Sequence, residues 1–143
     1  MAKVREDVTT RCRWAAEEGL RWFGAVTYLP RIAPTDVVWH GLSIPAGTMI
    51  MCCLLAANRD PAVFADPDRF DVERQPQHLL TFGQGVHVCL GTHLARAEMD
   101  VALRVLLERF PNLRWADDKQ GARLCGAIDQ TMSGPDKLPV RFD

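Results

Sequence analysis

The chain has 143 residues, of which 48% are hydrophobic, so it can form the core of one domain. Its formal net charge of −1, with no basic stripe, argues against a nucleic-acid-binding protein. Five irregularly spaced cysteines favour a reducing compartment, and the longest apolar run, residues 49–57, is shorter than a membrane helix. With no signal-peptide pattern at residue 1, we expect a cytoplasmic protein without a membrane segment.

The first predicted element is a helix over residues 10–23, which is rich in good helix formers and is followed by Gly24 as a stop signal. Gly19 inside it costs about 1 kcal/mol of helix propensity. Glu18 and Arg21 are three residues apart, so their side chains share a face. Taken alone, such a pair is most often a solvated surface ion pair worth a few tenths of a kcal/mol.

Residues 25–35 follow, and Pro30 and Pro34 predict an extended rather than helical backbone. Residues 36–55 alternate apolar and polar side chains and contain Ile44-Pro45-Ala46-Gly47. Proline second and glycine fourth are typical of a type I turn, so this segment predicts a hairpin centred there. The stretch from Asn58 to Pro76 carries further prolines and predicts an irregular meander.

Residues 82–91 carry three glycines in ten positions, which predicts a tightly bent loop or one that approaches a flat ligand. Cys89 lies in this loop, just before a helical pattern that ends at Pro111. Apolar residues on two stripes predict that this helix is buried, with Thr92 as its N-cap. A helix N-terminus favours a thiolate, and ligation by a metal deprotonates a thiol outright.

Two other interpretations of this loop are open. A lone cysteine after a glycine-rich loop is often a small core residue. A zinc site of His87, Cys89 and His93 is conceivable, but the usual paired cysteine spacing is missing and a fourth ligand is not evident. After the helix, residues 112–115 predict a short extended piece, and residues 131–140 predict a turn and a closing strand.

The loop reads Phe-Gly-x-Gly-x-His-x-Cys-x-Gly, which resembles the haem-ligand signature of the cytochrome P-450 family. The resemblance implies haem b, iron protoporphyrin IX, as the cofactor, with Cys89 as the axial thiolate of the iron. It also implies that His87 reaches a haem propionate. The remaining loop residues assigned to the cofactor are one aromatic side chain, which would pack on the haem, and three glycines: Phe82, Gly83, Gly85 and Gly91.

Glu-x-x-Arg, formed by Glu18 and Arg21, resembles the second signature of the same family. There the pair is buried and is joined by a later arginine, and Arg74 lies where that third member is expected. By this resemblance the three residues are structural and hold the segment that leads into the haem loop. Removing one member of such a buried trio costs about 3 to 5 kcal/mol.

The resemblance also assigns residues around the ligand pocket. Arg31 resembles the arginine that pairs with a haem propionate, for which a planar guanidinium is suited. Val26 and Thr27 are then expected to face the substrate. Thr131 and Met132 are expected at the tip of the C-terminal hairpin, also near substrate, although Met132 fits ordinary packing equally well.

The resemblance spans residues 10–142 but matches only the C-terminal part of the family. We therefore expect residues 1–143 to be a single C-terminal haem-binding portion of a cytochrome P-450-like protein, with the upstream distal half absent. The implied fold class is α+β, with two or more long helices flanking a small β-sheet and the cysteine loop. The absent half carries the helix that delivers protons to bound oxygen.

Two functions from different classes follow. The first is haem-thiolate monooxygenase chemistry on a small organic substrate, with O₂ and with electrons from NAD(P)H through a ferredoxin or flavoprotein reductase. It is incomplete in 143 residues, so whether this chain is itself an enzyme stays open. The second is a non-catalytic, truncated haem-binding or interaction module that self-associates through apolar surfaces left by the missing half.

Overall fold

A computed structural model describes residues 2–116, 124–126, 132–135 and 137–142. Two long helices and several short strands dominate these residues, in agreement with the predicted α+β class. The helices are α1 Ala2–Glu6, α2 Val8–Trp22, α3 Leu54–Ala57 and α4 Thr92–Arg109, with a 3₁₀ turn at Gly85–His87. The strands are β1 Tyr28–Ile32, β2 Val37–Trp39, β3 Leu42–Ile44, β4 Met49–Cys53, β5 Arg114–Trp115, β6 Leu124–Gly126, β7 Ser133–Pro135 and β8 Val140–Arg141.

Helix α2 begins two residues earlier than its sequence pattern predicts because Asp7 caps it. The Thr10 amide donates to Asp7 Oδ1 at 3.1 Å, and this hydrogen bond holds the pKa of Asp7 below its usual value. A depressed carboxyl pKa contributes stability above the unfolded-state pKa, which is lost as the pH falls through the folded-state value. The cap therefore stabilises α2 at neutral pH.

Gly19 in α2 offers a direct test of helix propensity. A Cβ built at this position meets no atom within 4 Å, so an alanine side chain fits without displacing a neighbour. Gly19→Ala is expected to raise the free energy of unfolding by about 0.5 to 1 kcal/mol, because alanine loses less backbone entropy in a helix. Urea denaturation measures this change. Gly85→Ala is the matched control: Gly85 has φ of +75°, so that substitution should destabilise the chain instead.

The core lies where α1, α2 and α4 meet, and its buried members are Val4, Cys12 and Leu107. Burial raises the pKa of the Cys12 thiol, so this cysteine stays protonated and acts as a small apolar residue. The prediction that α4 is buried on two stripes is wrong. Leu107 is its buried residue, whereas Leu94, 64% exposed, and Val101, 46% exposed, face away from the described part of the chain.

The strands pair over longer distances than the sequence predicts. β1 and β4 are antiparallel, with Tyr28 opposite Cys53 and Ile32 opposite Met49. β2 and β3 form a separate hairpin, with Val37 opposite Ile44. The predicted hairpin centred on residues 44–47 is therefore wrong: that turn connects β3 to β4, which belong to different two-stranded sheets.

The hairpin turn of β2 and β3 lies at His40 and Gly41, with φ of 47° and 80°. Two consecutive residues with positive φ are typical of a type I′ hairpin turn. Near the end of the chain, β5 pairs with β8 and β6 pairs with β7. The predicted extended piece at residues 112–115 corresponds to β5, and the predicted closing strand corresponds to β7 and β8.

Candidate functional site

The Cys89 loop is closed by its own backbone hydrogen bonds. The Gly83 amide donates to the Leu80 carbonyl at 2.8 Å, and the Cys89 amide donates to the Phe82 carbonyl at 2.9 Å. Gly83 and Gly85 have φ of 71° and 75°, a conformation that other residues rarely adopt. The loop therefore returns on itself and presents Cys89 immediately before α4.

The junction between the loop and α4 differs from its prediction in one detail. Gly91, not Thr92, is the N-cap of α4. Thr92 is the first helical residue, and its hydroxyl donates to the Cys89 carbonyl at 2.6 Å. A glycine cap has no side-chain oxygen to accept from the first amides of the helix, and the Thr92 amide donates to the Cys89 carbonyl at 3.3 Å.

The surroundings of Cys89 are open and apolar. Cys89 is exposed, so its sulfur is not enclosed among aliphatic side chains. Val86 is 96% exposed, Val88 53% and Leu90 100%. A Cβ at Gly85 would meet no atom within 4 Å, so the backbone of the loop is open to close approach at that point. Exposed apolar side chains around a free thiol are typical of a binding site for an apolar ligand.

The donor set at Cys89 fits a ligand that takes one sulfur and packs against apolar groups, as haem does. The zinc alternative has no support here: in the described part of the chain no three His, Cys, Asp or Glu residues are grouped as metal ligands. His87 lies in the 3₁₀ turn and is exposed. It is thus on the same loop as Cys89 and accessible to a bound group.

Glu18, Arg21 and Arg74 are in direct contact. Arg21 Nε and Nη2 donate to the two oxygens of Glu18 at 2.8 and 2.9 Å. Arg74 Nε donates to Glu18 Oε1 at 3.2 Å, and the Asp71 amide donates to the same oxygen at 2.8 Å. Glu18 and Arg21 are 0% exposed, so these charges are neutralised by one another rather than by water.

The same two arginines hold the backbone of the meander. Arg21 donates to the carbonyls of Asn58 at 3.1 Å, Pro67 at 2.8 Å and Arg69 at 3.0 Å. Arg74 also donates to the Arg69 carbonyl at 3.0 Å. Its further acceptors are the carbonyls of Ala65 and Asp66. Buried Arg21 and partly buried Arg74 thus satisfy carbonyl groups that lie outside any helix or strand.

The described residues predicted near a haem propionate or near substrate lie around β1. Arg31 is exposed on β1, and its guanidinium donates to the Pro30 carbonyl at 2.8 Å. Val26 forms an isolated antiparallel bridge with Met132, so these two predicted contacts are neighbours. The Thr27 carbonyl accepts from the Leu54 amide at 2.9 Å, which ties the start of β1 to α3. The prediction for Thr131 lies outside the described residues.

A buried polar network behind the loop was missed at the sequence level. Asn58, 1% exposed, donates from Nδ2 to Thr81 Oγ1 at 2.8 Å. It also accepts from the Leu80 amide at 2.9 Å. The Thr81 hydroxyl donates to the Leu20 carbonyl at 2.8 Å. The network joins α2, the end of α3 and the segment entering the Cys89 loop, and no local sequence pattern indicates it.

Thr81→Val is expected to lower the free energy of unfolding by about 2 kcal/mol, because it leaves the Asn58 amide and the Leu20 carbonyl without their partner in a buried place. Chemical denaturation measures the loss. Thr81→Ser keeps the hydroxyl and is the control, expected to cost less than half as much. Equal losses for both variants would mean that the methyl group, not the hydroxyl, is the stabilising part.

The chain matches the family described as Cytochrome P450 over residues 12–122. It is 45% identical to the mycinamicin IV hydroxylase/epoxidase of Micromonospora griseorubida, over 88% of this chain and 32% of that protein. It is 41% identical to the steroid C26-monooxygenase of Mycolicibacterium smegmatis, over 90% of this chain and 31% of that protein. The crystal structure of P450BioI with a hexadec-9Z-enoic acid ligated acyl carrier protein is similar with a TM-score of 0.90 and 38% identity, over 99% of this chain and 36% of that one.

The chain thus spans about a third of the length of the curated relatives it matches. The similar solved structure confirms the predicted fold class, the α+β C-terminal portion of a larger, mainly helical fold. Among the described residues, no helix combines the length and the apolar character needed to cross a bilayer.

Proposed function

This chain belongs to the cytochrome P450 family, and from that premise we propose that it is the haem-thiolate portion of a monooxygenase. The observation that carries the proposal is Cys89: an exposed thiol on a loop closed by its own hydrogen bonds, directly before the N-terminus of α4. Haem bound through a thiolate supplies the oxygen activation by which an oxygen atom is inserted into an organic substrate.

We assign the haem contacts to residues of this chain as follows. Cys89 would hold the iron, and its place just before the N-terminus of α4 favours negative charge on its sulfur through the helix dipole. Phe82 packs on the macrocycle, while Gly83, Gly85 and Gly91 keep the loop backbone free of side chains on its approach. His87 and Arg31, both exposed, would supply hydrogen-bond donors for the propionates. Glu18, Arg21 and Arg74 hold the meander that leads into the loop.

The substrate and partners are proposed at the level of chemical class. The relatives act on steroid and mycinamicin substrates by their names, which supports a small or medium-sized organic substrate here. Val26, Thr27, Thr131 and Met132 are the residues of this chain proposed to touch it. We propose that electrons come from NAD(P)H through a ferredoxin or flavoprotein reductase, and that the protein works in the cytoplasm.

The test is the spectrum of the purified chain reconstituted with haem, reduced with dithionite and exposed to carbon monoxide. A far-red-shifted band, which a thiolate ligand gives to the carbon monoxide adduct, supports the proposal. A chain that takes up haem but gives the band expected of a neutral ligand would refute it, and so would a folded chain that takes up no haem.

A second expected result concerns turnover. Because the chain matches only about a third of the length of its relatives, we propose that the 143-residue chain binds haem without completing the reaction. With a ferredoxin and its reductase, NAD(P)H oxidation should not exceed the rate of the electron-transfer proteins alone. Substrate-dependent NAD(P)H consumption by this chain would overturn that expectation while leaving the haem assignment intact.

Exposed apolar surface favours a second candidate, a haem-binding or interaction module that self-associates. In addition to the exposed apolar residues of α4, the chain has a mostly apolar cavity of 480 Å³ between the β2–β3 hairpin and β4. Trp39 and Leu42 on this hairpin are each 62% exposed. Light scattering coupled to size exclusion separates the candidates: concentration-dependent oligomers support the module, and a monomer argues against self-association.

A further inference from the structure

An ion pair between α2 and α4 lies beside the Cys89 loop. Arg96 Nε donates to Glu17 Oε1 at 2.6 Å, and Arg96 Nη2 donates to Glu17 Oε2 at 3.2 Å. The Glu17 side chain is 11% exposed and that of Arg96 is 35% exposed. Two parallel hydrogen bonds between a guanidinium and a largely buried carboxylate fix the plane of the guanidinium as well as its position.

The fixed guanidinium reaches the loop through an aromatic ring. Arg96 Cζ lies 5.0 Å from the centroid of the Phe82 ring, within the range of a cation–π interaction. The Phe82 carbonyl in turn accepts the Cys89 amide at 2.9 Å. A continuous series of contacts therefore runs from Glu17 through Arg96 and Phe82 to the backbone of Cys89.

In the described part of the chain, one side of this ion pair borders a cavity. Arg96 and Glu17 line a cavity of 310 Å³, together with Arg13, Trp14, His78 and His93. Because one side of Arg96 borders an open cavity, its position depends on its hydrogen bonds to Glu17 rather than on close packing. Among the described residues, Glu17 accepts the hydrogen bonds of this guanidinium, and the Phe82 ring lies against it.

We propose that Arg96, anchored by Glu17, is a positioning residue that fixes the ring of Phe82 and thereby the loop carrying Cys89. The planar guanidinium suits this role because it forms two hydrogen bonds in one plane while presenting that plane to an aromatic ring. A lysine keeps the charge but lacks the plane. The redox test of this inference rests on the proposed function because it requires bound haem. The NMR test uses the haem-free chain and does not depend on that function.

The first experiment follows the Phe82 ring in the haem-free chain by NMR with ring-labelled phenylalanine. The chain has six phenylalanines, and Phe82→Leu assigns the Phe82 signal by its disappearance. Arg96→Gln is expected to shift that signal more than any other phenylalanine signal. Arg13→Gln is the matched control, because Arg13 lines the same cavity and its Cζ lies 5.3 Å from the Trp14 ring instead.

The second experiment measures the one-electron reduction of the haem-loaded chain by dithionite titration with redox mediators. Arg96→Gln is expected to change the ferrous-to-ferric ratio at fixed potential on the order of tenfold, which is about 59 mV for one electron. In the Phe82→Leu background the same substitution should change the ratio less than threefold. Such non-additivity is the sign of a contact that acts through the ring.

Additive effects of Arg96→Gln and Phe82→Leu on the potential would overturn the proposal, because a charge acting through space does not need the ring. An effect of Arg13→Gln as large as that of Arg96→Gln would overturn it too. If Arg96→Gln does not fold, Arg96→Lys keeps the ion pair and should still shift the Phe82 signal; an unchanged signal contradicts the proposal. Failure of the wild-type chain to give a thiolate spectrum refutes the proposed function, while the haem-free NMR result still decides the role of Arg96.

Discussion

Replacing Cys89 by alanine is expected to abolish the far-red-shifted carbon monoxide band of the reduced, haem-loaded chain. The sulfur is the single atom through which this chain is proposed to hold the iron, and no neighbouring side chain in the loop supplies another thiolate. Haem affinity should fall by at least tenfold, because apolar packing alone remains. Absorption spectroscopy during haem titration measures both quantities for the wild-type chain and the variant.

Cys52→Ala and Cys53→Ala are the matched controls, because both cysteines are also free and exposed but lie on β4. Each should keep the thiolate band and the haem affinity of the wild-type chain. If the band survives Cys89→Ala and disappears in one of the β4 variants, the iron ligand is the cysteine replaced in that variant. A band that survives all three substitutions would exclude Cys89 as the required ligand.

Glu18→Gln is expected to lower the free energy of unfolding by about 3 to 5 kcal/mol. The substitution removes the negative charge between Arg21, 0% exposed, and Arg74, whose side chain is 12% exposed, and leaves buried cations unpaired. Since small domains have total stabilities of about 5 to 15 kcal/mol, such a loss unfolds a large fraction of a marginal chain. Urea denaturation followed by circular dichroism measures it.

Asp68→Asn is the control for this prediction, because it removes one charge from the ion pair between Arg59 and Asp68, in which the aspartate side chain is 86% exposed. That pair should contribute less than about 1 kcal/mol. If Glu18→Gln and Asp68→Asn lower the free energy of unfolding by similar amounts, burial of the Glu18 ion pair adds nothing to its contribution to stability.

Local sequence patterns predicted the two long helices well, because helix formers, apolar spacing and stop signals act within a few residues of one another. The pairing of strands was predicted poorly. The turn signal at residues 44–47 is present, and Gly47 has φ of +80°, but a turn does not determine which strands pair beyond it. β4 pairs with β1 instead, which lies earlier in the chain by the length of the β2–β3 hairpin.

Local sequence patterns also failed to predict which charged side chains are buried. Taken alone, the spacing of Glu18 and Arg21 indicates a solvated surface pair, and the structure places both at 0% exposure. Their burial depends on carbonyl groups of residues 58–69, more than thirty positions away. Only the family resemblance suggested it. Arg96 and Asn58 were missed for the same reason, since each acts through partners on other elements.

Residues 58–74 contain no helix or strand, yet their carbonyl groups are fixed by two guanidinium groups. The backbone of this segment is held by Arg21, which extends from α2, and by Arg74 at the end of the segment. Both the length and the conformation of the segment are therefore constrained. Insertion of a single residue between Asn58 and Arg74 would move carbonyl acceptors away from Arg21, which is 0% exposed, and from Arg74. This segment should therefore tolerate insertions as poorly as the interior of a helix, unlike the hairpin tip at His40 and Gly41.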